Sequence, residues 1–560
     1  MLVIGLHAYS QTAAPYTVVI DEIMADPAPP IGLPSSEFIE LKNVSPQAFN
    51  LSGWRIGDAS GFATIAINFV LRPDSFVIIC SSSSVSLLNA FGTTIGVSNF
   101  PSLNNEGDQL YLRSKEGRTI HAVPYSSSWY QNPVKSQGGW TLEMIDTRSP
   151  CSGAGNWLAS NDFKGGTPGK KNSVDAVNTD QQPPMLVRAY AADSVDIILS
   201  FDEPLDSAGA VSTGHYSISD GIGEPLSVTA IAPFFTQVQL RVAGLQKAKI
   251  YTVTANTVTD CAGNPIGAYH QAKLGLASMA TANDIVINEI LFNPKPDGAD
   301  YIELYNRSNS IVDLKDFYIA NRSNGAIGSL KQISADNRLL FPGEYLVVTE
   351  DAFAVQKQYL AKDPGTFATI NTMPSLPDDK GDVVLLNAQG AIIDELAYDE
   401  HWHFKLINND EGVALERIDY NKPTQDGVNW HSASSNAGYG TPGYQNSQFN
   451  SGNMSQGGIT VMPHIFSPDN DGYDDFLTIE YHFPDPGYVC NITVFDASGR
   501  PVRYITHNAL CGLSGYFRWD GLDEKFLKLP VGVYIIFTEV FNLAGKTTQF
   551  KQAVTLARRL

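Results

Sequence analysis

Near the C-terminal end, Asp469, Asn470, Asp471, Asp474 and Asp475 set four carboxylates and an amide around Gly472. Calcium takes six to eight oxygen ligands, and such a loop could supply several. The order is not that of an EF-hand, which needs a glutamate at the twelfth position. A solvated turn is therefore the leading reading and calcium the competing one. His401-Trp402-His403 would put two imidazoles on one face if the segment is extended. Zinc would need two further ligands. Asp399 and Glu400 are near, but the matching earlier stretch, Ser127-Ser128-Trp129-Tyr130, has no histidine, so a surface loop is expected. Glu22, Glu40, Glu289 and Glu303 could act as paired acid and base. Each lies between large apolar residues, so alternation puts it on the face opposite its neighbours. A solvent-facing or backbone-bonding carboxylate is expected there. Tyr125, Trp129, Tyr130 and Trp402 fall in matching loops, where they either bind sugars or peptides or plug the end of a sandwich. The chain has no Gly-x-Ser-x-Gly elbow, no H-E-x-x-H and no glycine-rich loop leading into a helix.

The elements that position these residues come in two copies. Val18-Val19-Ile20-Asp21-Glu22-Ile23 returns as Ile285-Val286-Ile287-Asn288-Glu289-Ile290, and Phe38-Ile39-Glu40-Leu41 as Tyr301-Ile302-Glu303-Leu304. Asn156-Trp157 returns as Asn429-Trp430, and Gly166-Thr167-Pro168-Gly169 as Gly440-Thr441-Pro442-Gly443. Apolar runs of four to eight residues, rich in Val, Ile, Tyr and Phe and bounded by turn formers, predict strands throughout. One short helix is expected at 350–360. A duplicated β module argues for a surface or scaffold protein more than for an enzyme with a single active site.

The chain of 560 residues is too long for one core. Its 37 basic residues against 58 acidic ones give a formal net charge of −21, which opposes nucleic-acid binding. No apolar run reaches the length of a transmembrane helix. The opening Met-Leu-Val-Ile-Gly-Leu-His-Ala-Tyr-Ser-Gln reads as the tail of a secretory signal peptide. Five cysteines do not make a disulfide framework; Cys490 and Cys511 could pair in an oxidising compartment, with Cys261 left over.

The paired units resemble lamin-tail domains, immunoglobulin-like sandwiches, on Ile20-Asp21-Glu22-Ile23, Phe38-Ile39-Glu40-Leu41, Leu51-Ser52-Gly53-Trp54 and the closing Gly-Thr-Pro-Gly. Residues 184–281 resemble the bacterial Ig-like domains of surface-layer proteins, on Val195–Asp206, Tyr216-Ser217-Ile218, Tyr251-Thr252-Val253 and the turn Asp260-Cys261-Ala262-Gly263-Asn264. That turn reads as an Asx-type turn rather than a metal site. The tail, with Phe466–Phe476, the hairpin Ile492–Val502, Trp519–Asp523 and Leu529–Tyr534, resembles the gliding-motility-associated C-terminal domain of Bacteroidota. That resemblance implies Sec export and then passage through the type IX secretion system, which is the implied partner.

The expected architecture is all-β: tandem immunoglobulin-like β-sandwich domains, four modules on a string. The boundaries are a signal-peptide remnant at 1–14, lamin-tail domain 1 at 15–173, an Ig-like domain at 184–281, lamin-tail domain 2 at 283–447, a flexible linker at 448–458 and a sorting domain at 459–560. The expected function is binding or adhesion at the outer cell surface, toward an extracellular polysaccharide or protein, without catalysis. The competing expectation is a secreted hydrolase or its accessory chain with a metal-dependent site.

Overall fold

Runs such as Val18–Met24 and Ile285–Leu291 are rich in β-branched residues, whose side chains pack well on a pleated surface. In the computed structural model, which describes residues 13–178, 180–323, 325–450, 452 and 457–558, these runs are central strands. The protein is almost all β, with 39% strand and 7% helix. It divides into two units, at residues 1–276 and 277–560.

In the first unit, the first repeat has a six-stranded sheet. Its order is Trp157–Ala159, Leu142–Met144, Val18–Met24, Phe38–Asn43, Phe76–Ser81 and Thr94–Val97. A four-stranded sheet of Thr119–Ser126, Gly107–Arg113, Arg55–Gly57 and Phe62–Thr64 completes the sandwich. Ile20, Leu41, Trp54, Ile56, Leu112 and Trp157 are among the side chains of the shared core. The middle domain packs a four-stranded sheet, beginning with Leu186–Ala191 and Asp196–Phe201, with a three-stranded one containing Tyr251–Ala255.

In the second unit, the second repeat has the same topology as the first. Trp430–Ser432, Leu415–Arg417, Ile285–Leu291, Tyr301–Asn306, Tyr345–Thr349 and Phe367–Thr369 form its large sheet in the matching order. Even the irregularities recur. The pairing of the first two long strands slips between Ile20 and Glu22 in one copy and between Ile287 and Glu289 in the other. At one edge of each large sheet, Thr94–Val97 and Phe367–Thr369 run parallel to their neighbours and are reached through a short helix. In the second repeat this is Ala352–Gln358, inside the expected 350–360, with the Asp351 carboxylate accepting from the Ala354 N–H at its start. The C-terminal domain packs a three-stranded sheet against a five-stranded one that includes the long hairpin of Gly532–Asn542 and Thr547–Leu556.

Three expectations change. The signal-peptide remnant at 1–14 lies outside the described residues up to position 12, but Ala13 is buried in the first core and so belongs to the sandwich. The linker at 448–458 is not free at its start. Gln448 is fully buried, its amide donating to the carbonyls of Ser432 (3.1 Å) and Cys511 (3.2 Å), and Asn450 donates to the Pro484 carbonyl at 3.1 Å. Residues 451 and 453–456 lie outside the described residues. Finally, Cys261 is not left over: it forms a disulfide with Cys151, across 110 residues, while Cys490 and Cys511 are free and buried. That pairing joins the first repeat to the middle domain, where sequence spacing offered no hint that two distant loops meet.

Candidate functional site

The recurring glutamates are the centre of the molecule's chemistry, but they do not face water. Strand Val18–Met24 is buried at every position, as is Ile285–Leu291, so both faces of the large sheet are covered. One face meets the sandwich core. The other is roofed by the closing segment that begins Gly-Thr-Pro-Gly. Register places Glu22 directly opposite Glu143 on one side and Glu40 on the other. Three glutamates therefore form a row across three adjacent strands, and Glu289, Glu416 and Glu303 form the same row in the second copy. All six are fully buried. This corrects the solvent-facing expectation for Glu22, Glu40, Glu289 and Glu303, whereas the backbone-bonding alternative describes them well. Alternation located the face correctly, but a roof dozens of residues away in sequence determines whether that face is wet.

The roof is held by the row. The Thr167 N–H donates to Glu22 Oε1 at 2.7 Å, the Thr167 hydroxyl to Glu143 Oε1 at 2.7 Å, and the Gly169 N–H to Glu40 Oε2. The Ser173 hydroxyl and the Val174 N–H add bonds to Glu143 Oε2 at 2.7 and 3.2 Å. In the second copy the Thr441 N–H donates to Glu289 Oε1 at 2.8 Å and the Gly443 N–H to Glu303 Oε2. The Thr441 hydroxyl oxygen lies 2.8 Å from Glu289 Oε2 and 2.9 Å from Glu416 Oε1. A hydroxyl has one hydrogen to give, so the triangle is complete when one of those two carboxyls is protonated. Burial, together with the neighbouring Glu416, pushes Glu289 up to about 8, in keeping with that state. Burial likewise raises Glu22, Glu40 and Glu303 well above the usual carboxylate range, and each is raised further by its neighbour in the row. Sequence reasoning missed Glu143 and Glu416. The recurrence of Leu142-Glu143 as Leu415-Glu416 is the signal that could have found them.

The aromatic loops are plugs. Tyr125 is buried in strand Thr119–Ser126 with its hydroxyl donating to the Asn104 carbonyl at 2.8 Å, and Tyr130 is buried with its hydroxyl on the Trp140 carbonyl at 3.2 Å. Trp129 and Trp402, both half-buried, pack against their cores over Trp157 and Trp430, with ring centroids 6.2 and 6.5 Å apart. Of the two readings left open, the closure of the sandwich end is the one these contacts support.

His401 and His403 do not share a face, because Glu400–Trp402 is a tight helical turn rather than a strand. His401 projects outward, 3.2 Å from Asp399 Oδ1. His403 points inward, with Nδ1 2.9 Å from Ser432 Oγ, and burial lowers it to about 4.

The acidic turn keeps its oxygens for its own backbone. Asp475 accepts from the N–H groups of Asp469, Asn470 and Gly472, and Asp471 from that of Tyr473. Asp469, Asp471 and Asp475 do each place one oxygen within 4.8 Å of the others, while Asp474 is not among the carboxylates of that group. A second such group, Asp180, Glu203 and Asp260, was not anticipated. Asp260 accepts from the Asn264 N–H and side-chain amide, both at 2.8 Å, which makes the Asx-type turn expected there. Burial and the surrounding acids raise Glu203 to about 8.

Concave sites also lie away from the row glutamates. A cavity of about 220 Å³ in the first unit is lined by Tyr16, Trp129, Trp157, Pro204 and Phe234 beside Cys151. A cleft of about 890 Å³ in the second unit overlies the closing segment and is lined by Tyr444, Gln445, Asn436, Lys362 and Tyr516 among others. The Lys362 ammonium sits 3.9 Å from the centre of the Tyr444 ring, and Tyr516 is exposed. Among the described residues, no helix is long and apolar enough to cross a membrane.

Residues 11–127 and 278–400 match the family model of the Lamin Tail Domain. No curated protein matches the chain. The chain is similar to the N-terminal part of the bacterial S-layer protein SbsC at 17% identity and a TM-score of 0.17, over 29% of this chain and 44% of that one. It thus spans less than half the length of that S-layer chain. It is also similar to a DUF4876 family protein of Bacteroides thetaiotaomicron, at 14% identity and a TM-score of 0.17, over 32% of this chain and 77% of that one. A calcium-stabilised adhesin with which an Antarctic bacterium binds ice aligns over 98% of this chain and 100% of its own, at 10% identity and a TM-score of 0.12.

Proposed function

We propose that this protein is a secreted, surface-displayed scaffold that works by binding and has no catalytic activity of its own. The observation that carries this reading is the Cys151–Cys261 disulfide. Disulfides persist in oxidising compartments and are rare where thiols are kept reduced. This one ties two successive sandwiches together, which suits a rigid display element. The most perturbed carboxylates lend further support, since those in the two rows are committed to holding the roof of each repeat. The tail at 459–560, by its resemblance to gliding-motility-associated sorting domains, directs export through the type IX secretion system after Sec. Surface proteolysis of intact cells tests the route: full-length protein is cleaved, and protein lacking 459–560 is protected inside. Equal cleavage of both overturns the sorting assignment.

With Trp129 and Trp402 packed against their cores, the binding role passes to the cleft containing Tyr444 and Tyr516. Aromatic faces interleaved with amides and a lysine suit a polysaccharide, whose rings stack while its hydroxyls pair. On an array of glycans and matrix proteins, Tyr444→Ala and Tyr516→Ala should each weaken glycan binding by roughly tenfold. Glycan binding that neither change alters, or binding confined to matrix proteins, rules out this cleft as a polysaccharide site.

A further inference from the structure

The two acid rows differ at one position that bears on charge. In the second repeat the Asn288 amide donates to Glu303 Oε1 at 2.7 Å and to Asn446 Oδ1 at 2.7 Å. The first repeat has Asp21 at that position, Glu40 where Glu303 stands and Asn172 where Asn446 stands. An amide that gives hydrogens is thus replaced by a carboxyl that, when ionised, can only accept them. The consequence is visible in the bonding. Asp21 Oδ1 and Glu40 Oε1 are both buried without a partner, as is Glu22 Oε2, whereas no row oxygen of the second repeat is left so. The other change between the rows is compensated: Phe38 stands for Tyr301, whose hydroxyl reaches Glu289 at 2.6 Å, but Thr141 stands for Ala414 and supplies a hydroxyl to Glu22 at 2.7 Å.

We propose that Asp21 and Glu40 form a buried proton-binding site that the second repeat lacks, holding at neutral pH a proton in the place of the Asn288 amide hydrogen. A metal ion is the other way to satisfy orphaned carboxylate oxygens. It needs several ligand atoms converging on one point. Among the described residues, the acidic groups whose oxygens converge within 4.8 Å in threes are Asp180–Glu203–Asp260 and Asp469–Asp471–Asp475, and the row is not among them. The first repeat is also closely packed there, since a Cβ added to Gly166 would lie 2.7 Å from Glu22 Oε1. A proton needs no such room.

The surroundings set the balance. On the same sheet, Glu143 raises both members of the pair, Glu22 raises Glu40, and Lys42, hydrogen-bonded to the Thr147 hydroxyl at 3.4 Å, lowers Asp21. From the roof, Asp175, paired with Lys171 at 2.7 Å, raises Asp21. On the core side of the strand, His121 accepts from the Ile20 N–H at 2.8 Å and is held neutral by burial. Burial dominates, and Asp21 is pushed up to about 7. A carboxyl raised on folding stabilises fully below its unfolded value of about 4, and that contribution is lost as pH rises through the folded value.

The full-length protein unfolded in urea at pH 6, in weakly buffered indicator solution, should release about one proton more than Asp21→Asn. The reverse substitution, Asn288→Asp, should add about one proton, and it decides the matter if Asp21→Asn fails to fold. The infrared band of un-ionised carboxyl in the folded protein should shrink in Asp21→Asn and grow in Asn288→Asp. Equal proton release by the wild type and both variants overturns the proposal. So does a stoichiometric metal retained by dialysed wild type and lost from Asp21→Asn.

Discussion

Single residues show how the two copies solve one problem with different chemistry. The bulge in the first long strand leaves one backbone N–H aimed at the neighbouring sheet, and each repeat supplies a different acceptor. In the first it is neutral His121, which accepts from the Ile20 N–H at 2.8 Å. In the second it is Asp394, which accepts from the Ile287 N–H at 2.8 Å and from the Thr424 hydroxyl at 2.6 Å. The carboxylate would be an unpaired buried charge, and the second repeat answers it with Arg417, 3.7 Å away and itself 1% exposed, where the first repeat has Met144. Burial lowers Arg417 to about 10, so it keeps its charge at neutral pH. Arg417→Met should therefore cost about 3–5 kcal/mol, because it strands Asp394. The double change Asp394→His with Arg417→Met copies the first repeat and should recover most of that loss. Urea denaturation of the three proteins checks this, and a double variant no more stable than Arg417→Met would show that the two solutions are not interchangeable. His121 has its own pH signature. Its folded value, about 4, lies below the unfolded value of about 6.5, so the first repeat loses stability as pH falls between them.

At the scale of elements, the roof is what turns a two-faced sheet into a buried one. The Gly-Thr-Pro-Gly turn requires a left-handed backbone at its last glycine, φ +81° at Gly169 and +88° at Gly443, and a Cβ on Gly169 would lie 2.5 Å from the Phe91 carbonyl oxygen. Thr441→Val keeps the shape but removes the hydroxyl shared by Glu289 and Glu416. Leaving a buried carboxyl unsatisfied costs about 1–3 kcal/mol, so hydrogen exchange at 441–448 should accelerate roughly 5- to 150-fold while the strands at 301–306 stay protected. Unchanged exchange there would mean that packing, not the hydroxyl, holds the roof. The strands themselves were legible in the sequence, because their apolar runs, turn formers and internal repetition all act locally. The wetness of the second face was not, because it depends on Thr167 lying over Glu22 across 145 positions. The same distance in sequence hid the joining of Glu143 to the row, and the inward turn of Tyr125 and Tyr130 beneath a loop that composition alone would expose.

For the molecule as a whole, stiffness comes from ties between neighbouring domains inside each unit. In the second unit the tie is a buried seam, where Phe404, Val489 and Leu510 pack together and Ser435 donates to the Leu510 carbonyl at 2.8 Å. In the first unit it is covalent. A bridge closing a loop of this length restricts the denatured chain by about 4.7 kcal/mol in the chain-entropy account. The loop enclosed by Cys151 and Cys261, 110 residues apart, contains six of the seven strands of the middle domain. Its loss should fall on that domain far more than on the first repeat, whose core residues at 18–41 lie outside the loop. In Cys151→Ser with Cys261→Ser, urea should release hydrogen-exchange protection at 196–201 well before protection at 18–24, whereas the oxidised protein should hold the two closer together. A thiol count under denaturing conditions supplies the control: three cysteines should react before reduction and five after it, since Cys80, Cys490 and Cys511 are free. Five reactive thiols in protein recovered from the cell exterior would remove the covalent tie, and with it the observation on which surface display rests.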